Sequence, residues 1–375
     1  MSQSSKQSLK EMIKKLSQIN AGAGMEQPMV RAVIEEISPY VDEVFVDARG
    51  SVYAKKTGAA PGHTLMLAAH MDQIGMIVKN ILPNGYILFE KNGDVPNNLL
   101  LGRKVFIGNK NIPGVVGCKP GHLQTPEEAS KVPIPEQCYI DAGFASRQEA
   151  EAQGIGIGDQ VIWQSDFMEF ANPDRVCSKA LDNRVNCAIL IEFMRTLEKE
   201  AFKGTIYAVF TVLEEVGLYG AMMGAYRLEP DYAVALDTIP AGDTPDVMAE
   251  LLLPIYLGRG PAMSLADGVM SSIYYHVVHP AVRRMIETQA AAASINLQKC
   301  TITGGRYATD ASKLSYAGKG VPCAVLAVPR RYSHSPIEVM DMNDAMGSLA
   351  ILQGIARDNA EQDLSFLQDG GLLSR

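Results

Sequence analysis

Leu9, Met12, Ile13, Leu16 and Ile19 recur three and four residues apart, which predicts an amphipathic helix near the start of the chain. A second helix is predicted from Pro28 to Ile37, where proline is tolerated in a first turn. The pattern then shortens. VDEVFVDARGSVYAKK reads as a hairpin around Arg49-Gly50-Ser51, and HTLMLAAHMD as a buried strand that runs out into polar residues.

Between residues 75 and 167 the pattern becomes a series of short alternating runs: MIVKNIL, GYILFEK, KVFIGN, GVVGC, QCYIDAG and DQVIWQSDF. Turn signals such as Pro83-Asn84-Gly85 and Asn92-Gly93-Asp94 separate them, and one helix, Ser146 to Gln153, interrupts them. This predicts a β-rich module of barrel or sandwich type. Beyond residue 177 helices and apolar strands alternate. A helix is expected from Arg184 to Phe202, then the strand GTIYAVFTV, a helix from Leu218 to Arg227 and the strand YAVALD. A helix from Pro280 to Ala293, the strand VPCAVLAVP and a helix from Asn343 to Arg357 follow. Such alternation implies an α/β fold with helices on both faces of a central sheet. The expected organisation is a discontinuous α/β domain, residues 1–74 and 168–375, carrying an inserted β-rich domain at 75–167.

Composition narrows the function. The 375 residues are 47% hydrophobic, enough to bury a sizeable core without disulfides, and 34 basic side chains face 42 acidic ones, a net charge of −8. With no basic patch, a nucleic-acid partner is not expected. No apolar run approaches the roughly 18 residues needed to span a bilayer, and the first residues lack the apolar core of a signal peptide. The six cysteines form no CxxC pair, as in a reduced, cytoplasmic protein.

Polar residues collect where the apolar strands end, which is where open α/β sheets bind ligands. LMLAAH ends in His70-Met71-Asp72, VFTVL in Glu214-Glu215, YAVAL in Asp237 and VLAVPRRYS in His334, while Asp182 opens the long helix. Five termini offering carboxylate or imidazole suit a mixed N/O metal site. Two divalent ions about 3.5–4 Å apart need a bridging carboxylate and terminal ligands on each. Imidazole with carboxylate suits zinc, cobalt or manganese, and the lack of cysteine ligands disfavours a closed structural zinc site. Asp72, two residues beyond His70, lies on the same strand side and can orient the imidazole. If the strand is still extended at Glu214-Glu215, the two side chains point to opposite sides, so that one can bind metal while the other takes a proton.

The segments HMDQIG (70–75), KALDNR (179–184), EEVGLYGA (214–221), LDTIPAGDTP (236–245), LGRGPA (257–262) and VPRRYSHSP (328–336) resemble the metallo-aminopeptidase family of glutamyl and tetrahedral aminopeptidases, some members of which are labelled endoglucanases. The matches keep the family's order from about residue 20 to 355. The resemblance implies a dinuclear-metal peptidase domain with an inserted β-barrel domain, hydrolysing N-terminal residues from short peptides. It places His70 and Asp237 on one metal, Glu215 and His334 on the other, and Asp182 between them. Glu214 is then the general base, with Asp72 orienting His70. It further implies a cis peptide bond between Asp182 and Asn183, two divalent ions per subunit (zinc or cobalt before manganese), and a homo-oligomer such as a tetrahedral dodecamer. Gln73 stands where many members have Glu, and Leu213 where Gln often precedes the Glu pair.

Other chemistry-bearing residues are expected to be structural. His276 and His279 in HVVHP precede a helix start at Pro280, Cys118 and His122 bracket a turn, and Cys177 lacks a His–Asn partner for nucleophilic work. Asp310, after Gly304-Gly305-Arg306, is a candidate for the substrate side of the site or its support. Glycoside hydrolysis by the paired glutamates is the competing activity, and a non-hydrolytic binding protein on the same fold the third. Glycosidase carboxylates must flank a sugar from opposing sides, which adjacent residues do poorly, and a single Trp is a thin supply for a sugar groove.

Overall fold

The computed structural model describes residues 3–269, 275–360 and 362–367 of the chain, apart from the side chains of 304–306. Its centre is a 12-stranded mixed sheet. From edge to edge the main path runs Glu43–Val46, Val52–Thr57, Thr205–Thr211, Thr64–His70, Tyr232–Pro240, Cys323–Arg331, Glu338–Asp341, Arg175–Ser178 and Met168–Glu169. The strands Ala262–Val269, Tyr275–Val277 and Gln298–Tyr307 extend the sheet off that path. The four strands beginning at Thr205, Thr64, Tyr232 and Cys323 are mutually parallel. Their sequences are apolar nearly throughout, as expected of strands covered on both faces.

Register then places the strand ends. Thr211 lies opposite His70, and Ala235 lies opposite Ala68. Two residues beyond that last pair, on one face of the pleat, come His70 and Asp237.

One face of the sheet carries the larger core, built with helices Gln3–Ser17, Gln27–Ile37, Leu181–Thr196, Pro280–Ala292 and Met342–Arg357. The helix Leu181–Thr196 is buried along residues 181–194, so it has no polar face to show in its sequence. Arg184 is wholly buried in it and donates to the carbonyls of Leu16, Ile19 and Ala21, tying the N-terminal segment to the helix. The opposite face holds a second core with helices Tyr219–Leu228 and Ala311–Leu314.

A closed six-stranded barrel forms from Gly75–Ile81, Ile87–Asn92, Cys138–Asp141, Ile112–Cys118, Lys104–Ile107 and Gln160–Trp163, in that order around it. It has its own core, including Val105, Ile140, Val161 and Trp163. The mixed α/β class with an added barrel is the architecture that the alternation of patterns predicts. Ser146 caps the barrel's helix Arg147–Ala152 by accepting the Glu149 N–H.

Some expectations change. The long helix ends at Thr196, not Phe202, because Leu197 turns extended and a 3-10 turn at Lys199–Ala201 drops Phe202 into the core. Asp182 and Asn183 at its start are non-helical and joined by a cis peptide bond, as the resemblance implied. The segment between Pro240 and Tyr307 contains strands that periodicity did not flag, since Ala262–Val269 pairs on both sides and alternation is lost. His276 lies not in a helix start but on the strand Tyr275–Val277, with Nδ1 3.3 Å from the buried Asp267 carboxylate. His279 is the N-cap of the next helix and accepts the Ala281 N–H.

Candidate active site

The parallel strands deliver their C-terminal ends to one cleft of about 670 Å³, lined among others by His70, Asp182, Glu214, Glu215, Asp237 and His334. His70 Nε2 is 3.3 Å from Asp182 Oδ1 and 3.8 Å from both Asp237 Oδ1 and Glu214 Oε2. His334 Nε2 is 3.5 Å from Asp182 Oδ2 and 3.4 Å from Glu215 Oε2. Ligand-type atoms of His70, Asp182 and Asp237 converge within 4.8 Å of one another, and so do those of Asp182, Glu215 and His334. The two sets share Asp182.

Each imidazole turns Nε2 to the cluster while a backbone carbonyl holds Nδ1. His70 Nδ1 is 3.1 Å from the Asp72 carbonyl, and His334 Nδ1 is 3.0 Å from the Asp94 carbonyl in the loop between the barrel strands Ile87–Asn92 and Lys104–Ile107. A carbonyl only accepts, so it takes the Nδ1 proton and leaves Nε2 as the nitrogen that faces the carboxylates and can ligate a metal once deprotonated. Asp182 Oδ1 and Glu215 Oε1 are buried with no hydrogen-bond partner. Unsatisfied carboxylate oxygens beside free imidazole nitrogens form a donor set for divalent cations of the zinc, cobalt or manganese kind.

The electrostatics agree. Burial pushes Glu214 well above the usual carboxylate range, and the charges of Asp237, Glu215 and Asp310 push further against the pull of His70. Burial, then Asp182, does the same to Asp237. Glu215 is pushed up to about 7, chiefly by burial and against the pull of His334. Burial would lower both imidazoles, but the carboxylates outweigh it: Glu214 leads in raising His70, and Glu215 in lifting His334 to about 9. A buried site this crowded with carboxylates favours added positive charge, which a metal supplies.

Asp182 is the exception. Burial would raise it, but Arg330, then His334 and His70, hold it well below the ordinary range. Arg330 is 3% exposed and was not read from the sequence, although it lies inside the VPRRYSHSP segment. Its guanidinium donates to Asp182 Oδ2, Glu338 Oε1 and Thr238 Oγ1. Glu338, also missed, accepts the backbone N–H groups of Asp182 and His334, each at 3.0 Å. Arginines and glutamates this common on surfaces carry no signal of burial along a chain.

The Asp72 side chain, expected to orient His70, holds the glutamate pair instead. Its carboxylate is 3.6 Å from His70 Nδ1, but its two oxygens accept the backbone N–H groups of Glu214 and Glu215. The glutamate pair does not continue an extended strand. The strand stops at Thr211, Leu213 is left-handed with φ 59°, and the Glu214 carbonyl accepts from Gly217 and Leu218 in a turn. Glu26, in an N-terminal segment without any motif, also supports the turn by accepting the Leu213 N–H. Gln73 and Leu213 lie beside the cleft: the Gln73 backbone donates to Ala21, and Leu213 packs on the main core. Asp310 is buried behind the cleft surface, accepts the Thr211 hydroxyl at 2.7 Å and leaves its other oxygen without a partner. Cys177 is a buried thiol raised by burial, as in a structural cysteine.

A sequence profile described as M42 glutamyl aminopeptidase matches residues 50–351. The chain belongs to the M42 family. It is 30% identical to a lysyl aminopeptidase of Pyrococcus furiosus, over 95% of this chain and 99% of that one. Its fold is similar to that of the aminopeptidase APDkam598 of Desulfurococcus kamchatkensis, at TM-score 0.89 and 32% identity over 99% of both chains. The TET1 peptidase of Pyrococcus horikoshii, which can assemble into a tetrahedron or a large octahedral shell, is 29% identical at TM-score 0.79 over 93% and 99%. This M42 chain is therefore a peptide hydrolase of the aminopeptidase class. M42 peptidases are metal-dependent, and this chain carries the two candidate clusters described above.

Proposed function

We propose that the protein removes the N-terminal residue from short peptides, with two divalent ions held by His70 and Asp237 on one side, Glu215 and His334 on the other, and Asp182 between them. The observation that carries this reading is the pair of three-residue clusters sharing one carboxylate, with Glu214 beside them. When bound, the ions lower the pKa of a coordinated water and polarise the scissile carbonyl. Glu214 accepts the proton of the attacking water and passes it to the leaving amine. Its position suits that exchange: Glu214 lines the cleft with its Oε2 3.8 Å from His70 Nε2, beside the clusters that would hold the ions. Asp72 holds the backbone of Glu214 and Glu215, and Glu338 holds that of Asp182 and His334, so that both clusters keep their aim.

Glycoside hydrolysis fits the site less well. Glu214 and Glu215 share one turn instead of facing each other across a groove, and a glycosidase has no use for the converging imidazoles. Assembly into a homo-oligomer, on the pattern of the TET1 peptidase, and a cytoplasmic location belong to the same proposal. Among the described residues no helix is long and apolar enough to cross a membrane.

The test is Glu214→Gln, assayed on aminoacyl anilides with metal content measured in parallel. Unchanged metal with turnover down by roughly 10²–10⁴-fold is expected. Near-normal turnover would exclude Glu214 as the base.

A further inference from the structure

The cleft has two unlike sides. Towards the barrel its lining includes the exposed Asp94 and the half-buried Pro96, with Ser333 beside His334. Opposite stands an apolar wall of Pro240, Leu253, Val269, Ile302 and Tyr307. These five are half-buried, and Leu253, Ile302 and Tyr307 pack directly on the second core. The core therefore backs Leu253, Ile302 and Tyr307.

The wall adjoins the candidate metal cluster. The Tyr307 hydroxyl donates to the carbonyl of Thr238, the residue after Asp237, at 2.9 Å. With its hydroxyl so occupied, Tyr307 offers the cleft its ring. Pro240 ends the strand that carries Asp237, and Val269 belongs to the strand paired with that of Ile302 and Tyr307. Among the described residues of this wall there is no charged side chain. Arg330 lines the cleft, but its guanidinium is committed to Asp182, Glu338 and Thr238. A carboxylate or ammonium placed against the wall would lose water and find no partner among its described residues, whereas an apolar side chain loses only water.

We infer that this wall is the subsite for the side chain of the substrate's N-terminal residue, and that it selects aliphatic or aromatic residues over acidic and basic ones. The inference rests on the aminopeptidase reading above. An exopeptidase must close off the side that receives the first residue and leave open the side from which the rest of the peptide runs. The core-backed wall and the side with the exposed Asp94 supply those two.

The test measures kcat/KM of the metal-loaded full-length protein on matched anilides of Leu, Met, Phe, Ala, Glu and Lys. Leu or Met is expected to exceed Ala by about 10-fold or more, and Glu and Lys by about 100-fold. Leu253→Asp and Ile302→Asp, each checked by circular dichroism, are expected to lose about 10-fold or more on Leu, to lose less on Ala than on Leu and to raise the Lys-to-Leu ratio. Preference of the wild-type protein for Glu or Lys would overturn the inference alone. Loss by the same factor on all six substrates in both variants would also overturn it. Inertness towards every anilide would instead overturn the aminopeptidase reading, and this inference with it.

Discussion

The side chain of Asp72 accepts the backbone N–H of Glu214 at 3.1 Å, and with its other oxygen that of Glu215 at 3.0 Å. One carboxylate thus fixes the turn that aims both glutamates. Asp72→Asn keeps the shape but replaces one acceptor with a donor, leaving one N–H without a partner. A loss of about 10–100-fold in turnover is expected. The carbonyl of residue 72 still holds His70, so metal binding at the His70–Asp182–Asp237 cluster is expected to persist. Kinetics with metal analysis on the same preparation would check both.

Asp182 belongs to both clusters, so its loss is expected to act on both. On the proposed two-ion reading, Asp182→Ala should bring metal content to near none, read by elemental analysis after dialysis. Retention of two ions would contradict the shared role.

Arg330 pairs with Asp182 and Glu338 deep inside the protein. Arg330→Met strands both carboxylates, and breaking a buried pair in this way costs about 3–5 kcal/mol. Bound metal would compensate part of the missing positive charge. The expected result is a large loss of stability in the chelated variant and a smaller one when metal is restored, measured by urea unfolding.

Chelation of the wild-type protein is expected to lower its melting temperature, because the carboxylates of Asp182, Glu215 and Asp237 then share the site with too little positive charge. A ligand present at 1,000 times its Kd stabilises by about 4 kcal/mol. Melting curves against added zinc, cobalt and manganese at fixed protein concentration would rank the three ions.

Lys179 is buried, donates to the Asn20 side chain at 2.7 Å and is lowered to about 7 by burial, with Arg184 adding to the effect. Between pH 7 and 10 the unfolded chain holds a proton that the folded one has released, so this residue makes stability rise with pH across that window. Below pH 7 its contribution stays flat. The slope is at most about 1.4 kcal/mol per pH unit. Lys179→Met should remove it, so that the difference between wild-type and variant unfolding free energies changes with pH between 7 and 10 and not below.

The strand-end residues were legible because each stands where an apolar run stops. His70 after LMLAA and Asp237 after YAVAL are conspicuous, and the structure brings both to one cleft. Arg330 and Glu338 were not legible, because nothing along a chain separates an arginine that faces solvent from one sealed against Asp182. The strands between Pro240 and Tyr307 escaped for a related reason: Ala262–Val269 pairs on two sides, and its small residues show neither helical nor strand periodicity.

The amino-acid sequence by itself determined the alternation of helices and strands, the change to short strands after residue 75, and the set of imidazoles and carboxylates at strand ends. Those follow from local periodicity and residue chemistry. Tertiary structure alone decided which of these residues meet. Parallel register set His70 beside Asp237, the turn after Thr211 brought Glu214 and Glu215 onto Asp72, and the left-handed His334 (φ 55°) turned its ring towards Asp182. Contacts between residues more than a hundred positions apart depend on how strands pair and turns close, and no window along the chain contains that information.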